Sequence, residues 1–449
     1  MKPRRVLMIA HVFPPFFSIG GSIRVVKFIK YLTASADWLP SVLTIDDRQE
    51  YDTQRKEGSA SLLKDIPQIV QVHRTNAGEP SVGLLEKGRA IRERNRLAAR
   101  VINLLSSLRY WVKQHVLLPD ENITWLPFGV RAGRRIIRRE ETDVIFVTCP
   151  PHSAALIGVL LKWLTRRPLV VDFRDDWVDT PWFHQKSALA RQLERWQEQL
   201  VVRSADQLIL VTAWSKTAFQ QRYPRIPPQR FTLIPNGCDL ADFANMPHMS
   251  AAPDALTIVH AGMLTSSDDW RRSPAGFFNA LVRIKDTTPD LWERLCVIFT
   301  GKLPDTYRDL AAQQGLIDHI QEAGFVPWDD LLKLMTQADL LLTINYEGFA
   351  TLIPGKIYEY WAVGGPPVLL LSCPGAAQQL IEENGLGWTA DHYDADSIEA
   401  TIRHVAAQKA SRQPVRITRD GIERYDRARL ANDLRAVFNT VAVAHQRQK

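Results

Sequence analysis

The sequence predicts an α/β protein of two consecutive, doubly wound domains, each a parallel sheet with helices on both faces. Three observations predict it. Short apolar strands alternate with longer helical stretches; the strands are apolar on both faces, as buried parallel strands are; and the rhythm stops near residue 240 and restarts at residue 256. With 449 residues, 45% apolar and 23% charged, the composition is ordinary for globular proteins and excludes disorder, collagen and low complexity. No run reaches ~18 uninterrupted apolar residues, so no membrane span is expected. The opening MKPRRVLMIAHVFPP is a first strand, because Pro14 and Pro15 follow its apolar run without a small-residue cleavage site. Cys149, Cys238, Cys296 and Cys373 form no C-x-x-C pair, so neither zinc nor a disulfide framework is indicated. Reducing cytosol is the expected compartment.

In the first half, strands are expected at Val6–Ala10, Ser41–Ile45, Val144–Thr148, Leu169–Phe173 and Leu208–Thr212. Helices fit at Ser22–Ala34, Ser153–Arg167 and Ser187–Ser204, each starting at or near a serine able to cap it. The run Phe231–Gly237 ends in Asn-Gly, and the polar stretch after it, reaching Pro253, marks a boundary between domains 1–240 and 241–420. Strands then recur at Leu256–His260, Cys296–Thr300, Leu340–Ile344 and Val368–Leu371, with helices from Ser273, Asp329, Lys356, Ala376 and Ala395. A last helix, Arg427–Val443, occupies the 421–449 segment. Two such domains place a cleft at the carboxyl ends of their strands, where ligands of these folds bind.

The segment from about residue 50 to 133 breaks the rhythm and is expected to be a mostly helical, basic insertion. From Glu86 to Glu140 there are thirteen Lys or Arg against five Asp or Glu, a net +8, whereas the whole chain is +7. One segment therefore sets the charge balance, which points to a local anionic partner and away from nucleic-acid binding by the whole protein. At 3.6 residues per turn Leu97, Val101, Leu104, Leu105 and Leu108 share a face, with Arg92, Arg96 and Arg100 along another flank. Such a helix suits an anionic membrane surface; packing on the first domain produces the same stripe.

Three motifs carry candidate chemistry. Gly20 and Gly21 lie between the first strand and its helix, where backbone amides and a helix N-terminus favour an anion; an ordinary flexible loop is the alternative. In Asp172-Phe173-Arg174-Asp175-Asp176-Trp177, three carboxylates surround Arg174 at a strand's carboxyl end, suited to substrate hydroxyls, a base, or a structural anchor. His152 occupies the corresponding place one strand earlier. The third motif is Ile353-Pro354-Gly355-Lys356-Ile357-Tyr358-Glu359, in which Lys356 and Glu359 share a helical face. A carboxylate can accept both hydroxyls of a ribose, and a lysine at a helix start suits a diphosphate.

These motifs, with PDENITW, TCPPHS, LIPNGCD, HAGMLTSSDDWRRSP, IFTGKLPD and IPGKIYEYWAVGGPPVL, resemble nearly end to end the bacterial GT-B fold retaining glycosyltransferases. That resemblance implies two Rossmann-like domains across a cleft and a last helix packing back on the first domain. It also implies a nucleoside-diphosphate sugar as donor and no metal or other cofactor. In its terms Glu359 holds the donor ribose. Gly20, Gly21, Arg272, Lys302, Thr351, Leu352, Ile353 and Lys356 line the donor, while His152, Arg174, Asp175 and Arg272 serve the transfer. The chain departs from the family pattern at Thr351, where many relatives carry a glutamate, and at Met263, where many carry an arginine. Amides at Leu352 and Ile353, and the charges of Arg271, Arg272, Lys302 or Lys356, would then compensate. The Asp394-Ala395-Asp396 triplet is better a helix cap than a metal site. The acceptor is expected to be a polysaccharide or lipid-linked glycan precursor, with a natural product as competitor, on a cytoplasmic protein peripheral to the inner membrane face. A nucleotide-sugar 2-epimerase on the same fold and a non-catalytic membrane- or nucleic-acid-binding protein are the alternatives.

Overall fold

The computed structural model describes residues 3–15, 21–46, 62–77, 117–178, 180–246, 252, 254–265 and 272–447. The chain divides into two compact units. Met1–Val211, Lys216–Pro235 and Leu430–Lys449 form the first; Thr212–Ser215 and Asn236–Arg429 form the second.

The first unit is built from β1 (Arg4–Ile9), α1 (Gly21–Ala34), β2 (Trp38–Ile45), β3 (Gln71–Thr75), α2 (Leu126–Arg139), β4 (Val144–Cys149), α3 (Ser153–Thr165), β5 (Leu169–Phe173), α4 (Ala188–Ser204), β6 (Gln207–Leu210), α5 (Ala213–Arg222) and β7 (Phe231–Leu233). Its sheet runs β3-β2-β1-β4-β5-β6-β7, every neighbouring pair parallel. Strand alternation splits the core in two. Leu7 and Ile9 join the layer under α2, α3 and α4, whereas Val6 and Met8 join the layer under α1 and the last helix, α12 (Arg427–Arg447). Leu430, Leu434 and Phe438 of α12 are buried there, with the Phe438 ring 5.2 Å from Trp38 and 5.7 Å from Phe146. On the opposite layer α2 lies close to α3 because Gly129 and Gly133 carry no side chain. A Cβ there would come within 2.6 Å of Ile157 and 2.5 Å of Leu161.

The second unit comprises β8 (Leu256–His260), α6 (Ala275–Thr287), β9 (Leu295–Phe299), α7 (Asp305–Gln313), β10 (Ile320–Glu322), α8 (Trp328–Gln337), β11 (Leu340–Ile344), α9 (Gly355–Val363), β12 (Val368–Leu371), α10 (Ala376–Glu383), β13 (Gly387–Ala390) and α11 (Ala395–Ala410). The sheet order is β10-β9-β8-β11-β12-β13, again all parallel. Asp394 caps α11, its carboxylate accepting from Ser397 N at 3.1 Å.

Two expectations need correction. The 50–133 segment is not simply a helical insertion. β3 lies inside it as the edge of the first sheet, and α2, which begins at Leu126, is a framework helix. Its arginine- and leucine-patterned part, residues 89–113, lies outside the described residues. Ser153 does not cap its own helix either. Asp120 does so from a distant turn, its Oδ2 accepting from Ser153 N at 3.0 Å while Oδ1 accepts from Asn122 N at 3.1 Å.

A buried ion pair holds the strand ends of the first unit. The fully buried Arg24, from α1, donates to Asp172 of β5 twice, at 3.0 and 2.8 Å. It also donates to the carbonyls of Pro235 (2.7 Å) and Ile234 (2.9 Å), and Thr148 Oγ1 gives Asp172 a further bond at 2.9 Å. Every strong group in the cluster is satisfied, which is the condition for a buried pair to persist. Removing one partner strands the other charge in the core. Arg24→Met is therefore expected to lower stability by ~3–5 kcal/mol in denaturant titration, and Arg24→Met with Asp172→Leu to recover part of that loss. A single variant as stable as wild type would show the pair to be dispensable.

Candidate functional site

In the second unit the chemistry converges where the loops after β8 and β9 meet the start of α9. Gly262 follows β8 with φ +131°, and an added Cβ would lie 2.2 Å from Lys356 Nζ, so the lysine rests directly on the bare backbone. The neighbouring loop is equally close, since a Cβ on Gly301 would fall 2.8 Å from Gly262 O. Thr300 Oγ1 accepts from Gly262 N at 3.0 Å and ties the two loops together.

Lys356 and Glu359 occupy the first turns of α9, three residues apart and half-buried. Burial pushes the Lys356 ammonium down and the Glu359 carboxyl up, and each charge partly offsets the shift of the other. Tyr360 anchors the helix. Its hydroxyl accepts from Ala261 N at 2.8 Å and donates to Leu342 O at 3.1 Å, so the ends of β8 and β11 are pinned to α9. His260 donates from Nδ1 to the same carbonyl at 3.0 Å, and burial with the nearby Lys356 charge lowers its pKa to about 3. Arg272 stands before α6 with its guanidinium 3.9 Å from the Tyr346 ring centroid, close enough for its charge to bias both His260 and Lys356.

The remaining expected donor residues are placed differently. Lys302 is exposed beside Glu322, which Arg308 already holds at 2.7 Å. Thr351 uses its carbonyl to accept from Thr212 Oγ1 at 2.8 Å. Leu352 and Ile353 bury their side chains; the Leu352 amide reaches Phe349 O at 3.5 Å, while the Ile353 amide has no acceptor among the described residues. Gly20 lies outside the described residues, and Gly21 is the first residue of α1.

In the first unit His152, Arg174 and Asp175 do come together, behind β4 and β5. The His152 ring stacks on the buried Trp177 (4.7 Å, 19°) and donates to the Asp175 carbonyl. Its Nε2 is buried without a hydrogen-bond partner among the described residues, and burial lowers its pKa to about 3. Arg174 donates to Pro150 O. The expected ring of three carboxylates around Arg174 does not form, because Asp172 turns inward to Arg24. α4 holds the loop from behind through two buried glutamates. Glu198 accepts from Val178 N (3.1 Å), Arg222 (2.9 Å) and Tyr223 (2.7 Å), and Glu194 accepts from Lys186 at 2.5 Å. Sequence reasoning passed over Gly262, Tyr360, Asp120 and Glu198. The aromatic run YEYWA beside Lys356 was the available signal for Tyr360.

Comparison with known proteins agrees with this architecture. Residues 88–237 match the glycosyl transferase 4-like domain, and residues 271–423 match the glycosyl transferases group 1 domain. Both halves of the chain are therefore glycosyltransferase domains, and the fold they form is that of GT-B transferases. No curated protein matches the sequence. Among solved structures, sucrose-phosphate synthase from Thermosynechococcus elongatus is 15% identical, with 98% of this chain and 100% of that one covered at a TM-score of 0.64. HepE from Anabaena, in complex with UDP and glucose, is 17% identical over 97% and 99% of the two chains, TM-score 0.61. WaaG, a glycosyltransferase involved in lipopolysaccharide biosynthesis, is 14% identical over 98% of each chain, TM-score 0.56.

The buried histidines predict an acid sensitivity. The folded chain keeps His260 neutral down to about 3, whereas an unfolded histidine protonates near 6.5. Between those values the unfolded state binds more protons, so stability falls as pH falls. Glu194 and Glu198, whose carboxyls burial raises, act in the opposite sense. The difference between wild type and His260→Asn isolates the histidine. Going from about pH 7 to about pH 5, wild type should lose ~2 kcal/mol more than the variant. Parallel losses in the two proteins would contradict the assignment.

Proposed function

We propose that this protein transfers a sugar from a nucleoside-diphosphate sugar to a glycan acceptor, either a polysaccharide or a lipid-linked precursor, with retention of anomeric configuration. The observation that carries the reading is the pairing of Lys356 and Glu359 on the opening turns of α9, against a backbone left bare at Gly262. Glu359 accepts the two ribose hydroxyls of the donor. Lys356, Arg272 and the α9 N-terminus face its diphosphate, and the HepE structures with UDP and with UDP-glucose support this kind of ligand. In the transfer the bond between the anomeric carbon and the diphosphate oxygen breaks and its electron pair leaves with the diphosphate, whose growing charge the cations stabilise. The acceptor oxygen bonds to the same face of the anomeric carbon and passes its proton to the departing diphosphate oxygen, so neither a protein nucleophile nor a metal is invoked. His152 Nε2, buried and without a partner among the described residues, and Asp175 are the hydroxyl-binding groups of the first unit.

Glu359→Ala should weaken binding of a sugar nucleotide by roughly ten- to a hundredfold in calorimetry, the loss of a charge-assisted pair of hydrogen bonds, with little change in melting temperature. The pH dependence has two limbs. Affinity should fall in acid as Glu359 protonates above the usual carboxylate range, and in alkali as Lys356 deprotonates below the usual lysine range. Glu359→Gln should remove only the acid limb, and unchanged donor affinity in both glutamate variants would falsify the ribose assignment. Structures of 2-epimerases share the fold, including a putative UDP-N-acetylglucosamine 2-epimerase from Listeria monocytogenes. Inversion at carbon 2 of the free sugar nucleotide, without transfer or hydrolysis, would select that reaction instead.

A further inference from the structure

The outer face of α2, α3 and α4 in the first unit has an unusual composition. Together the three helices carry nine Lys or Arg and two acids, and both acids, Glu194 and Glu198, are buried and turned inward. The face presented to solvent therefore has no carboxylate from these helices. Five of the cations, Arg131, Arg134, Arg135, Arg138 and Arg139, lie on α2, all exposed and none with an ion-pair or hydrogen-bond partner among the described residues.

The same face exposes large apolar side chains. Trp163 and Leu164 end α3 at 56% and 49% exposure; Leu189, Leu193 and Trp196 form one stripe on α4 at 71%, 42% and 58%. Their spacing of four and three residues places the α4 group on a single flank. Between α2 and α3 runs a groove of about 820 Å³ with an apolar floor of Leu126, Val130, Leu160 and Leu164 and a rim of α2 arginines. Gly129 and Gly133 hold the two helices close enough to form it.

Arginine with tryptophan and leucine on one strongly basic face, where Asp206 beside Lys162 and Glu141 after α2 are the flanking carboxylates, matches an anionic bilayer. Phosphates of the headgroups meet the guanidinium groups, and the indoles and leucines gain from the layer beneath. A nucleic acid satisfies the charges alone, since five exposed Leu and Trp side chains gain nothing from a phosphate backbone. We propose that this face docks the protein on an anionic lipid surface. The inference does not rest on the sugar-transfer reading, because lipid binding is read without any donor.

The test is co-sedimentation of the full chain with vesicles of phosphatidylcholine alone and of phosphatidylcholine and phosphatidylglycerol in equal parts. Wild type should pellet only with the anionic vesicles and less as salt rises. R134Q/R138Q should lower the partition coefficient roughly thirtyfold, as expected for two lost surface cations. Trp163→Ala should lower it several-fold at unchanged charge. Melting temperature should stay as in wild type for both variants, since all three side chains are exposed. Equal recovery in the supernatant with both vesicle types would overturn the proposal. So would wild-type pelleting by the variants, or tight salt-dependent binding of duplex DNA by a protein that ignores vesicles.

Discussion

A lysine held against bare backbone is the contact on which the second unit's site depends. Gly262 can supply that backbone because it has no side chain and adopts φ +131°, a conformation other residues avoid. Lys356 is thereby partly stripped of water. That lowers its pKa and makes its charge available to an incoming anion that can replace the lost hydration. Glu359, one turn along, is raised for the same reason, and each group is the other's partial compensation. Under the proposed reading, a ligand with a diphosphate and vicinal hydroxyls would satisfy such a pair further. Tyr360 makes the arrangement rigid by joining α9 to the ends of β8 and β11.

The first unit solves the same problem with a closed network. Arg24 and Asp172 satisfy each other completely and take three further bonds, so they hold the ends of β4, β5 and β7 without offering chemistry of their own. Next to them His152 keeps one ring nitrogen without a partner among the described residues, with Trp177 stacked beneath it and Glu198 fixing the loop behind. A satisfied pair thus supports an unsatisfied group, the one to which the proposed function gives a role.

Much of this was legible in the sequence, for identifiable reasons. β5, β8, β11 and β12 run where their largely apolar runs placed them, because central parallel strands are covered on both faces. β3 (QVHRT), β10 (IQE) and β13 (GWTA) are edge strands with one neighbour and half-exposed faces, so no such run announces them. The inward turn of Asp172 was readable from alternation: it lies two residues after Val170, whose side chain joins the core under α1, the helix that supplies Arg24. The spacing of Lys356 and Glu359 was visible because it is local. Gly262 against Lys356, and Asp120 capping a helix that begins at Ser153, were not, since both join residues distant in the chain.

The central claim is that the second unit receives a nucleoside-diphosphate sugar, and thermal denaturation against a panel of such donors tests it most directly. A ligand that binds only the native state at a hundred times its dissociation constant adds ~2.7 kcal/mol and raises the melting temperature by several degrees. The account predicts such a rise for at least one sugar nucleotide, and a smaller one for the matching nucleoside monophosphate, which lacks the second phosphate. A cooperatively melting protein whose midpoint no sugar nucleotide moves would contradict it.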